Sequence, residues 1–127
     1  MKIKIESLVN AQNALSELAQ KNLSIATSFK VAKLIKAAQA ELQTYDEQRR
    51  KLLENVGSKL DESTNQYIIP KDKRENFAMM YRDLLDVEID LPGEKINITD
   101  EKITLSPETL LLLEPFVEFG GEGDSRK

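Results

Sequence analysis

From Ile25 to Val56 the chain runs without a proline or a glycine and is rich in Ala, Lys, Leu, Gln and Glu. Those residues lose little side-chain freedom in a helix, and the two strongest helix breakers are missing, so the stretch reads as one long helix. Its apolar positions sharpen the reading. Val31, Ile35, Ala38, Leu42, Tyr45, Leu52 and Val56 follow alternating steps of four and three, interrupted only where Arg49 takes the slot between Tyr45 and Leu52. This is a heptad seam, the spacing that holds one face of a helix against a partner helix. At 1.5 Å rise per residue the helix spans about 48 Å, more than a domain of this size needs as thickness. Part of it is therefore expected to project from the compact body or pair outside it.

The flanking segments supply a small body for this rod. Met1 to Glu6 alternates, with Ile3 and Ile5 on one side and Lys2, Lys4 and Glu6 on the other, the pattern of a half-buried strand. Ser7 can cap a first helix over Leu8 to Lys21, with Leu8, Ala11, Leu15 and Leu18 on a shared face. Lys21-Asn22-Leu23 then reads as a tight turn, and Ser24 or Thr27 as the cap of the long helix. Gly57 ends that helix. Lys59-Leu60 and Tyr67-Ile68-Ile69 pair as a hairpin at the distal tip, around a polar loop expected to be mobile. A third helix, about Lys71 to Asp86, folds back along the second half of the long one, with Tyr45, Leu52, Phe77, Tyr81 and Leu84 in the seam.

After Asp86 the apolar period shortens to two. Val87, Ile89 and Leu91 alternate with Glu88 and Asp90, Pro92-Gly93 marks a turn, and Ile96, Ile98, Ile103 and Leu105 continue the apolar face. The expected arrangement is a short antiparallel meander that the first strand joins. Ser106-Pro107-Glu108 opens a short helix with a cap, a proline at its first position and an early acid. The four leucines 110–113 suggest that this helix is buried on more than one side, with Pro115-Phe116-Val117 as a further anchor. The fold class predicted is α+β: a long helical hairpin, a small antiparallel sheet and a short C-terminal helix. One domain is expected over 1–118, its arm at about 25–86, with a disordered tail over 119–127.

Composition removes several function classes. The 127 residues include no cysteine and no histidine, which takes away disulfides, thiol nucleophiles, imidazole bases and every Cys/His metal site. No apolar run approaches the ~20 residues of a membrane span, and no basic-then-apolar leader opens the chain, so a soluble cytosolic protein is expected. Charge is uneven. Residues 1–60 hold ten Lys and Arg against six Asp and Glu, and residues 61–127 hold eight against sixteen, which together give the net −4. The basic first half and acidic second half can attract each other within the fold, or the acidic half can meet a basic partner.

Candidate chemistry is sparse. Asp86, Glu88 and Asp90 fall on one side of a strand pattern and carry the oxygen ligands that Mg²⁺ or Ca²⁺ prefers, but a solvated face gives the same alternation. Asp90 with Asp100-Glu101-Lys102 matches loosely the carboxylate and D/E-x-K arrangement of some metal-dependent nucleases, in an acidic half that repels phosphates unless metal is bound. Gly120-Gly121-Glu122-Gly123 follows no strand and opens no helix, so it is not a phosphate loop. Lys30, Lys33 and Lys36, with Lys2 and Lys4, form a basic strip short of the arginines and aromatics of nucleic-acid binders, so direct nucleic-acid binding is not expected. Arg49 within the seam either packs its stem with its head in water, or pairs with an acid such as Asp83 on the returning helix, or fixes register or oligomeric state with a partner. Arg49 and Arg50, Asp61 and Glu62, and Asp86, Glu88 and Asp90 are the candidate partner-binding residues. No catalytic, cofactor or metal residue is assigned, and a non-enzymatic protein is expected.

Several segments together resemble a family of small phage and prophage proteins of unknown function from low-GC Gram-positive bacteria. They are Met1-Lys-Ile-Lys-Ile, Ala32-Lys-Leu-Ile-Lys, Tyr45-Asp-Glu-Gln-Arg-Arg-Lys-Leu-Leu-Glu, Tyr67-Ile-Ile-Pro, Val87-Glu-Ile-Asp, and Leu105-Ser-Pro with Leu112-Leu-Glu-Pro-Phe-Val-Glu. Ser24 departs from the family, in which a proline often precedes the long helix. The resemblance implies a phage origin, in the virion or the host cytoplasm, and brings no catalytic residues. It carries no established activity; the role expected for the chain is tail or neck structure and assembly through protein–protein contacts, including self-association along the long helix. The alternative is an early accessory inhibitor of a host defence factor such as a CRISPR nuclease.

Overall fold

In the computed structural model, which describes residues 1–98 and 103–119, the chain opens with β1 (Lys2–Lys4) and turns directly into α1 (Ile5–Asn10). The helix starts earlier than the Ser7 cap predicts: Lys4 is the N-cap, with no side-chain hydrogen bond, and Ser7 lies inside the helix. The Ile5 amide donates instead to the Val87 carbonyl at 2.9 Å, so a neighbouring backbone satisfies one of the free first-turn amides. At Ala11 (φ −94°, ψ 2°) the helix breaks, and α2 (Gln12–Ala19) follows. The Ala11 amide is shared between the Ser7 and Leu8 carbonyls at 3.1 and 3.2 Å, so the break costs no hydrogen bond.

The stretch without breakers forms a single uninterrupted helix, α3 (Ile25–Asn55). Ser24 caps it, its side chain accepting from the Thr27 amide. Its end is a Schellman motif. Gly57 takes φ +75°, its amide donates to Glu54 O, and the Ser58 amide donates to Leu53 O, both at 3.0 Å. The tip hairpin pairs β2 (Lys59–Asp61) with β3 (Gln66–Ile68), antiparallel, in the register Lys59↔Ile68, Leu60↔Tyr67 and Asp61↔Gln66. Pro70 then leads through a 3₁₀ turn (Lys71–Lys73) into α4 (Arg74–Leu85), which returns along the distal part of α3.

β4 (Glu88–Asp90) pairs antiparallel with β1, in the register Lys2↔Asp90, Ile3↔Ile89 and Lys4↔Glu88, so the first strand does join the segment after Asp86. The meander expectation fails beyond that pair. β5 (Ile96–Ile98) is not hydrogen-bonded to β4 but runs parallel to β6 (Val117–Phe119), and Ile103 and Leu105 belong to no strand. The crossover to β6 includes α5 (Pro107–Leu113), capped as predicted by Ser106, whose hydroxyl accepts from the Thr109 amide. Parallel strands need such a crossover, and α5 supplies it. Phe119, placed in the tail by the sequence reading, pairs with Ile98, while the tail from Gly120 onward lies outside the described residues.

One cluster forms the main core. Phe116, Leu8, Leu18, Leu91, Leu113 and Val31 are its most completely enclosed side chains, drawn from both ends of the chain and from the first turns of α3. The cluster reaches along α3 as far as Ala38, with Leu42 packed against it. The seam predicted for α3 is present in this half, widened by Leu34, which is also buried. The leucine run behaves differently from the expectation. Leu113 is enclosed, but Leu110 and Leu111 remain 38% and 70% exposed, because a single helix face meets the core.

Candidate functional site

Beyond Leu42 the long helix leaves the main core, and what remains is an arm built from the distal part of α3, the β2–β3 tip and α4. Between Gln39 and Asp90 only Leu53 and Val56 are buried, and α4 buries none of its residues. The arm is held instead by a half-buried aromatic cluster. The rings of Phe77 and Tyr81 stack at 5.7 Å between centroids, and the Tyr81 and Tyr45 hydroxyls lie 2.6 Å apart across the hairpin, within hydrogen-bonding distance. Burial, and then the hydrogen bond to Tyr81, push the Tyr45 phenol well above its ordinary range.

The arm leaves apolar surface uncovered. Leu60, Tyr67 and Ile68 on the tip are 48%, 42% and 54% exposed, and Met79 on α4 is 65% exposed. Leu60 and Tyr67 are paired on one face of the two-stranded ribbon and Ile68 lies on the other, and a lone ribbon at the end of a helix pair has too little beside it to cover both, so these three side chains stay in contact with water. At the loop between the strands, Asp61 bonds back to the turn. Its carboxylate accepts from the Ser63 hydroxyl at 2.8 Å and the Ser63 amide at 3.1 Å, which holds it below the usual carboxylate range. Asn65 supplies the left-handed residue the turn requires, at φ +57°.

The seven residues singled out from sequence fall at three separate places. Arg49 and Arg50 sit on the shaft of α3 and share one acid of the same helix: Arg49 donates to Asp46 at 3.2 Å and Arg50 at 2.6 Å. Arg49 therefore pairs within its own helix and not with Asp83 across the hairpin. The two guanidinium groups, Arg50 first, draw the Asp46 pKa downward. Asp61 and Glu62 belong to the tip. Asp86, Glu88 and Asp90 lie at the opposite end of α4, about 18 Å from its start.

Asp86 is the C-cap of α4 and not a strand residue. It accepts from Arg82 at 3.1 Å and lies 3.8 Å from Lys4 Nζ, while Arg82 also reaches Glu6 at 2.6 Å. Glu88 stands opposite Lys4, and Asp90 opposite Lys2. The Met1 amine donates to Asp90 at 3.3 Å and to the Leu91 and Gly93 carbonyls. Cations from β1 and α4 thus interleave with these acids. Among the described residues no three acidic side chains gather closely enough to hold a metal ion, and the Asp100-Glu101-Lys102 motif lies outside them.

Two concave surfaces flank the start of β5. One is a cleft of about 410 Å³ lined by Lys30, Lys33, Lys95 and Glu94 over Leu34 and Ile96. The other is a groove of about 820 Å³ between α5 and β6, floored by Leu110, Leu111, Val117 and Phe119 and rimmed by Glu114 and Glu118. Lys95 borders both. The sequence reading missed the groove because a run of leucines does not say which of them point outward. The apolar tip was legible in principle, since strands of three residues at the end of an arm cannot bury both faces.

No helix among the described residues is long and apolar enough to cross a membrane. Comparison of the chain with protein-family models, curated proteins and solved structures finds no match.

Proposed function

We propose that this protein works by docking another protein on its helical arm, with no covalent bond made or broken. The observation that carries the reading is the exposure of apolar side chains along the arm, Leu60, Tyr67 and Ile68 on the tip and Met79 on α4. Apolar and aromatic side chains held on a pre-formed hairpin are suited to anchor a protein interface, since little conformational freedom is lost on binding. The sequence resemblance to small phage and prophage proteins is what supports a phage setting for this reading. Structure or assembly of the virion tail or neck is the first reading, and inhibition of a host defence factor in the host cytoplasm is the alternative. The interleaving of Asp86 and Glu88 with Lys4 and Arg82 argues against mimicry of nucleic acid and favours steric blocking within that alternative.

The test is site-specific photo-crosslinking during phage infection, with the crosslinker at Leu60 or Tyr67 and, as a control, at Gln43 on the exposed shaft. Tip positions should capture one discrete protein that the control does not. Equal labelling from all three positions would remove the arm from consideration. The same crosslinked band in purified virions selects assembly, whereas its presence only in infected-cell lysate selects the inhibitor reading.

A further inference from the structure

We infer that a second copy of this chain is the occupant of the groove beside α5, and that the part it inserts is the first turns of α3. This goes beyond the arm and uses surfaces at the other end of the molecule. The groove is apolar at its floor, with Leu111 70% exposed and Leu110 38%, and its rim carries two acids, Glu114 and Glu118, against the one cation Lys95. The start of α3 is its counterpart in both respects. Ile25 and Phe29, one helical turn apart, are 91% and 64% exposed, and Lys30 and Lys33 flank them. Lys33 Nζ lies 5.5 Å from the centre of the Phe29 ring, so cation and aromatic form one protruding unit. An apolar ridge with basic flanks thus meets an open apolar groove of about 820 Å³ whose edges are mainly acidic.

Ridge and groove are neighbours on the surface, since Lys95 borders both the groove and the cleft formed by Lys30 and Lys33. Two copies facing each other across a two-fold axis then make the contact twice, ridge into groove and groove around ridge, as a closed dimer. The charges bias the pairing: Lys30 and Lys33 of one ridge disfavour a second ridge, and Glu114 and Glu118 outnumber Lys95 at the groove, so unlike surfaces attract.

Sedimentation velocity on the full chain from about 1 µM to about 1 mM spans the affinities such a contact can have. Wild type should pass from monomer to dimer within that range. Phe29→Glu places an acid opposite the acidic rim, and Leu111→Lys places a cation opposite Lys30 and Lys33; both positions are largely exposed, so the fold should survive, as circular dichroism will verify. Each variant alone should remain monomeric. Their equimolar mixture should recover a 1:1 dimer, because it holds one unaltered contact and one in which the carboxylate introduced on the ridge of one chain faces the ammonium introduced in the groove of the other. Lys33→Glu mixed with Glu114→Lys provides a second, independent pair with the same expected rescue. A wild type that stays monomeric at about 1 mM, variants that dimerise like wild type, or mixtures that fail to associate each overturn the inference. None of these results bears on crosslinking at Leu60 and Tyr67, so the two readings stand or fall separately.

Discussion

Truncating Leu53 to alanine separates the arm from the body energetically. Leu53 is 3% exposed and, with Val56, is one of only two buried residues between Gln39 and Asp90; neither belongs to the main core cluster. Leu→Ala at such a site removes the transfer free energy of the lost carbons and leaves a cavity, about 2–5 kcal/mol together. At 1.4 kcal/mol per factor of ten, the opening equilibrium of the arm should rise roughly 30-fold to several thousand-fold. The effect should be regional. Hydrogen exchange followed by mass spectrometry should show the gain in peptides covering β2, β3 and α4, with little change in α1, α2 and α5. Leu18→Ala, at a residue with no exposure in the centre of the main core, should accelerate exchange throughout. If the Leu53 variant exchanges faster across the whole chain, or not at all faster in α4, the division into arm and body is wrong.

Three further outcomes follow from local geometry. Because burial and the bond to Tyr81 raise the Tyr45 pKa above its unfolded value of 10.0, the stability it contributes is fully present below pH 10 and is lost as pH rises through the folded value. Ultraviolet titration of the tyrosines should show one phenol ionising late, and that component should vanish in Tyr45→Phe. Gly57→Ala should lower stability in urea by about 1–2 kcal/mol through backbone strain alone, since φ is +75° and nothing lies within 4 Å of the added methyl group. Ser24→Ala removes the cap of α3 and should lower stability by about 1 kcal/mol, with faster exchange of amides confined to the helix's first turn.

What could be read from the sequence depended on whether the relevant cause was local. Residue preferences and caps made α3, its Ser24 start and its Gly57 end legible, as they did the Ser106 cap of α5 and the tip hairpin. The continuity of α3 past Arg49 followed too, because a polar residue in the seam is accommodated by pairing with Asp46 and needs no break. The identity of strand partners was not legible. Ile96 and Ile98 alternate in the same way whether they continue a meander or, as they do, run parallel to Val117 and Phe119. The start of α1 depended on a carbonyl at Val87, far along the chain, and so no nearby residue could signal it. At the candidate surfaces, composition identified the charged residues but not their pairing. Arg82 and Asp86 are one turn apart on α4, but Lys4 meets Asp86 and Glu6 meets Arg82 only once the start of the chain and the end of α4 come together, and Leu110 and Leu111 face outward only because Leu113 takes the core-facing position.

Since α3 belongs to both the body and the arm, with no glycine, proline or break between them, the protein is built as a lever. Its fulcrum is near Leu42, where core packing ends. From there to Asn55 the helix extends about 20 Å, so a tilt of about 5° at the fulcrum sweeps its far end by about 2 Å. Force or displacement applied to the hairpin therefore passes, without slack, to the bed of Leu8, Leu18 and Phe116.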